Sequence, residues 1–159
     1  MEFALVSIPL FLVVFGIIDF GILFETRLSL DSGTRASARF GAVQAGALSN
    51  AASAPANTIQ GRLQANAGTS RIPNDDAHIV VTYYVPGSGA PTQCGKYSAL
   101  SNSITYYGGY SRATCLAVDN MIQVQATHAY KFNTPIIGQL FSGGVPISTT
   151  ATALIEQPG

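Results

Sequence analysis

The chain has 159 residues, a mass of 16.6 kDa, eight basic and eight acidic side chains, and a formal net charge of zero. Only 10% of the residues are charged, whereas about 25% is ordinary for a soluble domain. This length accommodates one globular domain and a long helix rather than two full domains. The balanced charge excludes an electrostatic nucleic-acid binder, and a mean hydropathy of +0.28 predicts that part of the chain contacts something other than water.

An apolar segment lies at the N-terminus, from Phe3 to Phe24, and reads FALVSIPLFLVVFGIIDFGILF. As a helix it would be roughly 33 Å long, which is enough to cross the hydrocarbon core of a bilayer. Asp19 is its one ionisable side chain and lies near the end from which it would reach the interface. Removal as a signal peptide is not expected, because no basic region precedes the segment and no A-x-A-like site follows it.

Four positions distinguish this segment from a generic membrane anchor. Glu2 precedes the apolar run, where a carboxylate needs a positively charged partner. Pro9 removes one backbone hydrogen bond and permits a kink, while Gly16 and Gly21 permit close contact between helices. Together these residues predict a helix that leaves lipid and packs against copies of itself.

The helical pattern continues to about residue 49 and carries a stripe of small residues. The stripe recurs at every fourth position and consists of Gly33, Ser37, Gly41 and Ala45. Such spacing lets another helix approach closely, so the stripe predicts contact with the helices of other subunits, with part of it covering the chain's own head. The alternative is a helix that packs only within its own domain.

The rest of the chain predicts a small head. The fold class is therefore α+β, with a long N-terminal apolar helix (a transmembrane segment and filament core) followed by a small antiparallel β-sheet head. The domains are 1–53, the helix, and 54–159, the head. The predicted elements are a short helix at 58–67 capped by Asn57, strands at 79–85, 121–132 and 145–155, a loop at 86–110, and a helical or irregular connection at 135–141.

Two cysteines, Cys94 and Cys115, lie too far apart for a CxxC motif. An isolated pair in a chain that leaves the cytosol predicts one disulfide, and the alternative is two buried free thiols. Closing a loop of this length would stabilise the fold by about 3 kcal/mol.

Tyrosines lie between these two cysteines and are candidates for a contact surface. Tyrosine with serine and glycine makes adaptable contacts with a glycan, a substrate surface or a neighbouring subunit. The alternative is half-buried packing in the sheet and its loops. The candidates are Tyr97, Tyr106, Tyr107 and Tyr110.

Motifs for catalysis, metal binding and cofactor binding are missing from the sequence. His78 and His128 stand at opposite ends of different predicted strands without zinc-ligand spacing. Asp75, Asp76 and Asp119 lack the register of a calcium loop. With no nucleophile elbow or phosphate-binding loop either, the sequence predicts neither an enzyme nor a cofactor.

The N-terminal segment resembles the start of TadE-like pilins, the tight-adherence branch of the type IV pilin superfamily. The similarity lies in EFALV at 2–6, Pro9, FGIIDFG at 15–21, TRASARFGA at 34–42, and the closing ISTTATA at 147–153. In type IV pilins the acid usually stands fifth after the cleavage point, whereas Glu2 is second here. The sequence therefore corresponds either to a processed form with its own spacing or to a form trimmed by a few residues.

The resemblance implies a structural subunit that polymerises through its N-terminal helix into a surface filament for adhesion or motility. Its implied partners are other copies of the chain, a prepilin peptidase and an inner-membrane assembly machine, and the membrane holds it before assembly. Two alternatives remain open. One is a minor pilin or membrane-anchored assembly factor, and the other is a membrane-tethered adhesin that never polymerises.

Overall fold

A computed structural model describes residues 2–68, 72–132 and 144–157, with the side chains of 2–5 and 8 outside this description. The first helix, α1, spans Glu2–Val43 and contains Pro9 without interruption. It ends about six residues earlier than the sequence predicts, because the chain turns at 45–46 beneath the sheet. There the hydroxyl of Tyr83 donates to the Ala45 carbonyl at 2.5 Å. Burial raises the pKa of Tyr83 far above its ordinary value, so this phenol stays a neutral donor.

A short second helix, α2, spans Ile59–Asn66. Its N-cap is Thr58, whose hydroxyl accepts from the backbone N–H of Gly61 at 3.1 Å. The predicted cap, Asn57, is therefore wrong by one position. Its buried side carries Ile59 and Leu63, which are fully buried.

One five-stranded antiparallel sheet forms the rest of the head, in the order β3-β2-β1-β4-β5. Three predicted strands are confirmed, whereas β2 and β3 lie in the segment predicted to be a loop. The predicted connection at 135–141 lies outside the described residues. The elements are β1 Ile79–Val85, β2 Thr92–Ser98, β3 Ser103–Tyr106, a short helix α3 Arg112–Cys115, β4 Met121–Tyr130 and β5 Val145–Leu154.

The core lies between the inner face of this sheet and the two longer helices. Burial alternates along β4, with Ile122, Val124 and Ala126 buried and the intervening residues partly exposed. Leu30 of α1 and Leu63 of α2 complete the same apolar cluster. Burial of these side chains holds the second half of α1 against the head.

The strand β5 runs alongside α1 in the same direction. Near the base of the head, Phe24 and Pro146 line one groove. Further along, the hydroxyls of Thr34 and Thr149 lie 3.5 Å apart. At the far end, the N–H of Glu156 donates to the Ala42 carbonyl at 2.7 Å. The head is therefore built along the second half of α1.

Cys94 and Cys115 are joined by a disulfide whose Cα atoms lie 5.7 Å apart. Both sulfurs are buried in the core cluster. The bond ties β2 to the C-terminal residue of α3. It therefore fixes α3 to the edge of the sheet that β2 and β3 form. It spans a sequence separation of 21 residues.

Replacing both cysteines with serine should lower the free energy of unfolding by about 3 kcal/mol, since the unfolded chain regains the entropy of the open loop. Urea unfolding of the detergent-solubilised chain measures the change, and reduced wild-type protein is the matched control. An unchanged urea midpoint in both samples would show that the disulfide contributes nothing to stability.

Candidate assembly surface

The first half of α1 presents an apolar surface that the head does not cover. Among its described side chains the exposed fraction reaches 68% at Ile17. Pro9–Val43 is long and apolar enough to cross a membrane, and little of its apolar window is buried. We call the following large side chains the free helix surface: Val6, Leu10, Phe11, Leu12, Val13, Val14, Phe15, Ile17 and Ile18.

Three of the four distinguishing N-terminal positions can be placed on this surface. Pro9 and Gly21 are exposed and Gly16 is partly exposed. A Cβ added at Gly21 would meet no atom of the described residues within 4 Å, which fits close approach by another chain. The side chain of Glu2 lies outside the described side chains, and its role in subunit register stays a prediction.

The small-residue stripe lies inside the subunit. A Cβ on Gly33 would lie 3.0 Å from the Leu63 carbonyl oxygen of α2, and one on Gly41 would lie 2.6 Å from Cδ1 of Ile122. Ser37 and Ala45 are fully buried. The stripe thus lets the chain's own α2 and sheet approach α1 within the subunit, and its contact with helices of other subunits stays a prediction.

Asp19 lies beneath the base of the head, although it belongs to the apolar segment. Its residue exposure is 2%, and its backbone carbonyl accepts from the Tyr130 hydroxyl at 3.3 Å. Edge-on aromatic contacts of Phe132 with Phe20 and with Tyr130 close the same region. The head therefore covers this acid. The sequence had instead predicted that Asp19 reaches the membrane interface. The aromatic residues Tyr130 and Phe132 at the end of the predicted strand 121–132 were the sequence signal that could have indicated this cover.

The four candidate tyrosines differ in exposure. Tyr97 is buried, and its hydroxyl donates to Oδ1 of Asn102 at 2.8 Å. Tyr106 and Tyr110 are partly buried against the core, and only Tyr107 of the four is classed as exposed. Packing thus accounts for three of these residues.

The two histidines lie at the same end of the sheet, because β1 and β4 are antiparallel. The N–H of Thr127 donates to the His78 carbonyl at 2.8 Å, so the opposite ends of these two strands, which the sequence predicts for the histidines, meet at one edge of the sheet. Burial lowers the pKa of His128, and the nearby His78 lowers it further. Nδ1 of His78 lies 2.7 Å from a carboxylate oxygen of Asp75. Within residues 2–68, 72–132 and 144–157 no group of three His, Cys, Asp or Glu residues is placed to hold a metal ion.

Comparison with known families identifies the N-terminal region. The family model described as TadE-like protein matches residues 1–39. The match covers most of α1, including the free helix surface, and stops before the head. Neither the curated proteins nor the solved structures gave a match.

Proposed function

We propose, from the TadE-like domain at residues 1–39, that this chain is a structural pilin subunit. In this proposal α1 polymerises into an extracellular filament of the type IV-like, tight-adherence kind, which serves adhesion or motility. The observation that carries the proposal is the free helix surface, which needs an apolar environment along its whole length.

Two environments can cover this surface. Before assembly, lipid chains surround it and the subunit is held in the membrane. After assembly, helices of other copies surround it, so the apolar side chains pass from one apolar medium to another without meeting water. Head-to-tail contacts of this kind do not close and generate an open helical polymer.

TadE-like proteins are pilus components rather than enzymes. The chain's partners in this proposal are accordingly other copies of itself, a prepilin peptidase and the inner-membrane pilus assembly machinery. It resides in the cytoplasmic membrane before assembly and at the cell surface afterwards. No nucleic acid and no cofactor takes part.

The direct test is to shear surface filaments, image them and identify their protein by mass. A major subunit is expected to be the most abundant protein of the filament. Trace amounts in the filament would instead identify a minor pilin or an assembly factor. A chain found only in the membrane, as a detergent-soluble monomer, would overturn the proposal in favour of a tethered adhesin.

Glu2→Ala is expected to insert into the membrane normally but to yield less filament. A carboxylate in a water-poor filament core carries a desolvation penalty of several kcal/mol unless it is paired, and an α-amino group of the same or an adjacent subunit is the proposed partner. The helix N-terminus adds roughly 0.3–1 kcal/mol of stabilisation for the negative charge.

Glu2→Asp is the matched control, since it keeps the charge with a shorter reach and should assemble partially. The measurement is the ratio of sheared filament to membrane-held subunit for each variant. Wild-type filament yield from Glu2→Ala would show that this acid does not set subunit register.

A further inference from the structure

A groove opens between α1 and the start of β5, at the base of the head. It consists of two adjoining sections with volumes of about 230 and 480 Å³. Its smaller section combines apolar side chains with the guanidinium of Arg27 and the polar Ser148. We call the whole groove, with both sections, the basal groove. The main lining residues of its smaller section are Leu23, Phe24, Arg27, Val145, Pro146 and Ile147.

The depth of this groove follows from the length of α1. If the hydrocarbon layer begins at Phe3, then 20 residues at 1.5 Å each cross about 30 Å and end near Ile22. Leu23 and Phe24 then lie at the boundary of the hydrocarbon. Arg27 lies about 7 Å beyond Ile22 along the helix, within the layer of lipid headgroups.

The charge of the groove is positive. Arg27 is exposed, and among the residues that the structure describes no carboxylate forms a salt bridge with it. Asp31 lines the larger section, but its carboxylate is paired with Arg35 at 2.9 Å. Lys131 adds a second exposed cation beside the groove, since its Cγ lies 3.5 Å from the position of a Cβ on Gly144.

We propose that the basal groove binds one anionic phospholipid, with an acyl chain against Leu23, Phe24 and Val145 and the phosphate on Arg27. The proposal rests on the membrane-held stage of the proposed function. A second copy inserted at the same depth fits less well, because it would bring its own Arg27 to the same level and add a like charge. A lipid supplies both the apolar chain and the anion that the groove lacks.

The experiment measures lipid retention by the full chain in neutral detergent. Wild-type protein, Arg27→Gln and Arg39→Gln are each mixed with equal amounts of phosphatidylglycerol and phosphatidylcholine, and the bound lipid is counted by native mass spectrometry. Arg39 is exposed on the same helix, about 18 Å further from the membrane, so its variant is a control of equal charge change. Circular dichroism checks that all three proteins are equally folded.

Wild-type protein and Arg39→Gln are expected to prefer phosphatidylglycerol, and Arg27→Gln is expected to retain about fivefold less of it, since one basic residue near an anionic lipid surface contributes about that factor. Equal retention by Arg27→Gln and wild type would overturn the proposal. So would equal binding of the two lipids by wild type, or full displacement of phosphatidylglycerol by millimolar inorganic phosphate, which would indicate a simple anion site.

Alkaline extraction of membranes separates this inference from the proposed function. Wild-type protein that stays in extracted membranes but shows no preference for phosphatidylglycerol overturns the lipid site and leaves the pilin proposal standing. Protein released from the membranes overturns both. Filament yield from Arg27→Gln is measured in parallel, so that loss of assembly is not mistaken for loss of lipid.

Discussion

Gly61→Ala should lower the free energy of unfolding by about 3 kcal/mol or more, because the added methyl group has no space. A Cβ at Gly61 would lie 1.9 Å from the carbonyl oxygen of Pro55 and 2.8 Å from that of Ala54. The Pro55 carbonyl cannot move away freely, since it also accepts from the N–H and the hydroxyl of Thr58. The clash is between the new Cβ, whose position is fixed by the backbone, and two backbone carbonyl oxygens. No change of side-chain rotamer therefore relieves it.

The measurement is the urea midpoint of the detergent-solubilised chain, followed by circular dichroism. Gly87→Ala is the matched control, since its Cβ would come no closer than 3.7 Å to another atom. We expect this control to unfold like wild type. Equal midpoints for the two variants would mean that the approach of 54–55 to α2 is not as close as described.

Gly41→Leu is the second large effect, and it tests where the small-residue stripe packs. A Cβ there would lie 2.6 Å from Cδ1 of Ile122 and 3.3 Å from Cδ1 of Ile59. Those two methyl groups can shift, but the three further carbons of leucine would still have to enter a filled core. We expect the head to lose about 3 kcal/mol of stability.

Gly21→Leu is the matched variant on the same helix. Its new side chain would meet no atom of the subunit within 4 Å of Cβ, so the urea midpoint should stay at the wild-type value. In the proposed filament the same leucine prevents close helix approach and lowers filament yield. A Gly41→Leu protein with wild-type stability and no filaments would show that the stripe faces other subunits after all.

Much of the sheet could be predicted from local sequence because β1, β4 and β5 carry their own signal. β1 and β5 are rich in β-branched residues, and β4 alternates apolar and polar side chains. β2 lacks such a signal, since TQCGKYS is polar and contains a glycine. It becomes a strand by pairing with its hairpin neighbour β1, and the disulfide joins it to a residue 21 positions further along the chain.

The assembly surface likewise has a part that the sequence predicted and parts that it could not predict. Hydropathy alone predicted the free half of α1, because no other part of the chain is so apolar. The destination of the small-residue stripe could not be predicted, since the spacing that admits a foreign helix equally admits the chain's own α2. The cover over Asp19 depends on Tyr130, which lies 111 residues away in sequence.

In the proposed filament, the common direction of α1 and β5 determines how a subunit responds to tension. A pull that enters through the N-terminal half of α1 runs in the direction of β5. The hydrogen bonds between β4 and β5 lie across that direction, and the register pairs ten residues without a bulge. An axial force therefore shears the whole ladder at once instead of peeling it bond by bond. In the proposed filament, rupture then requires many of these bonds to break together.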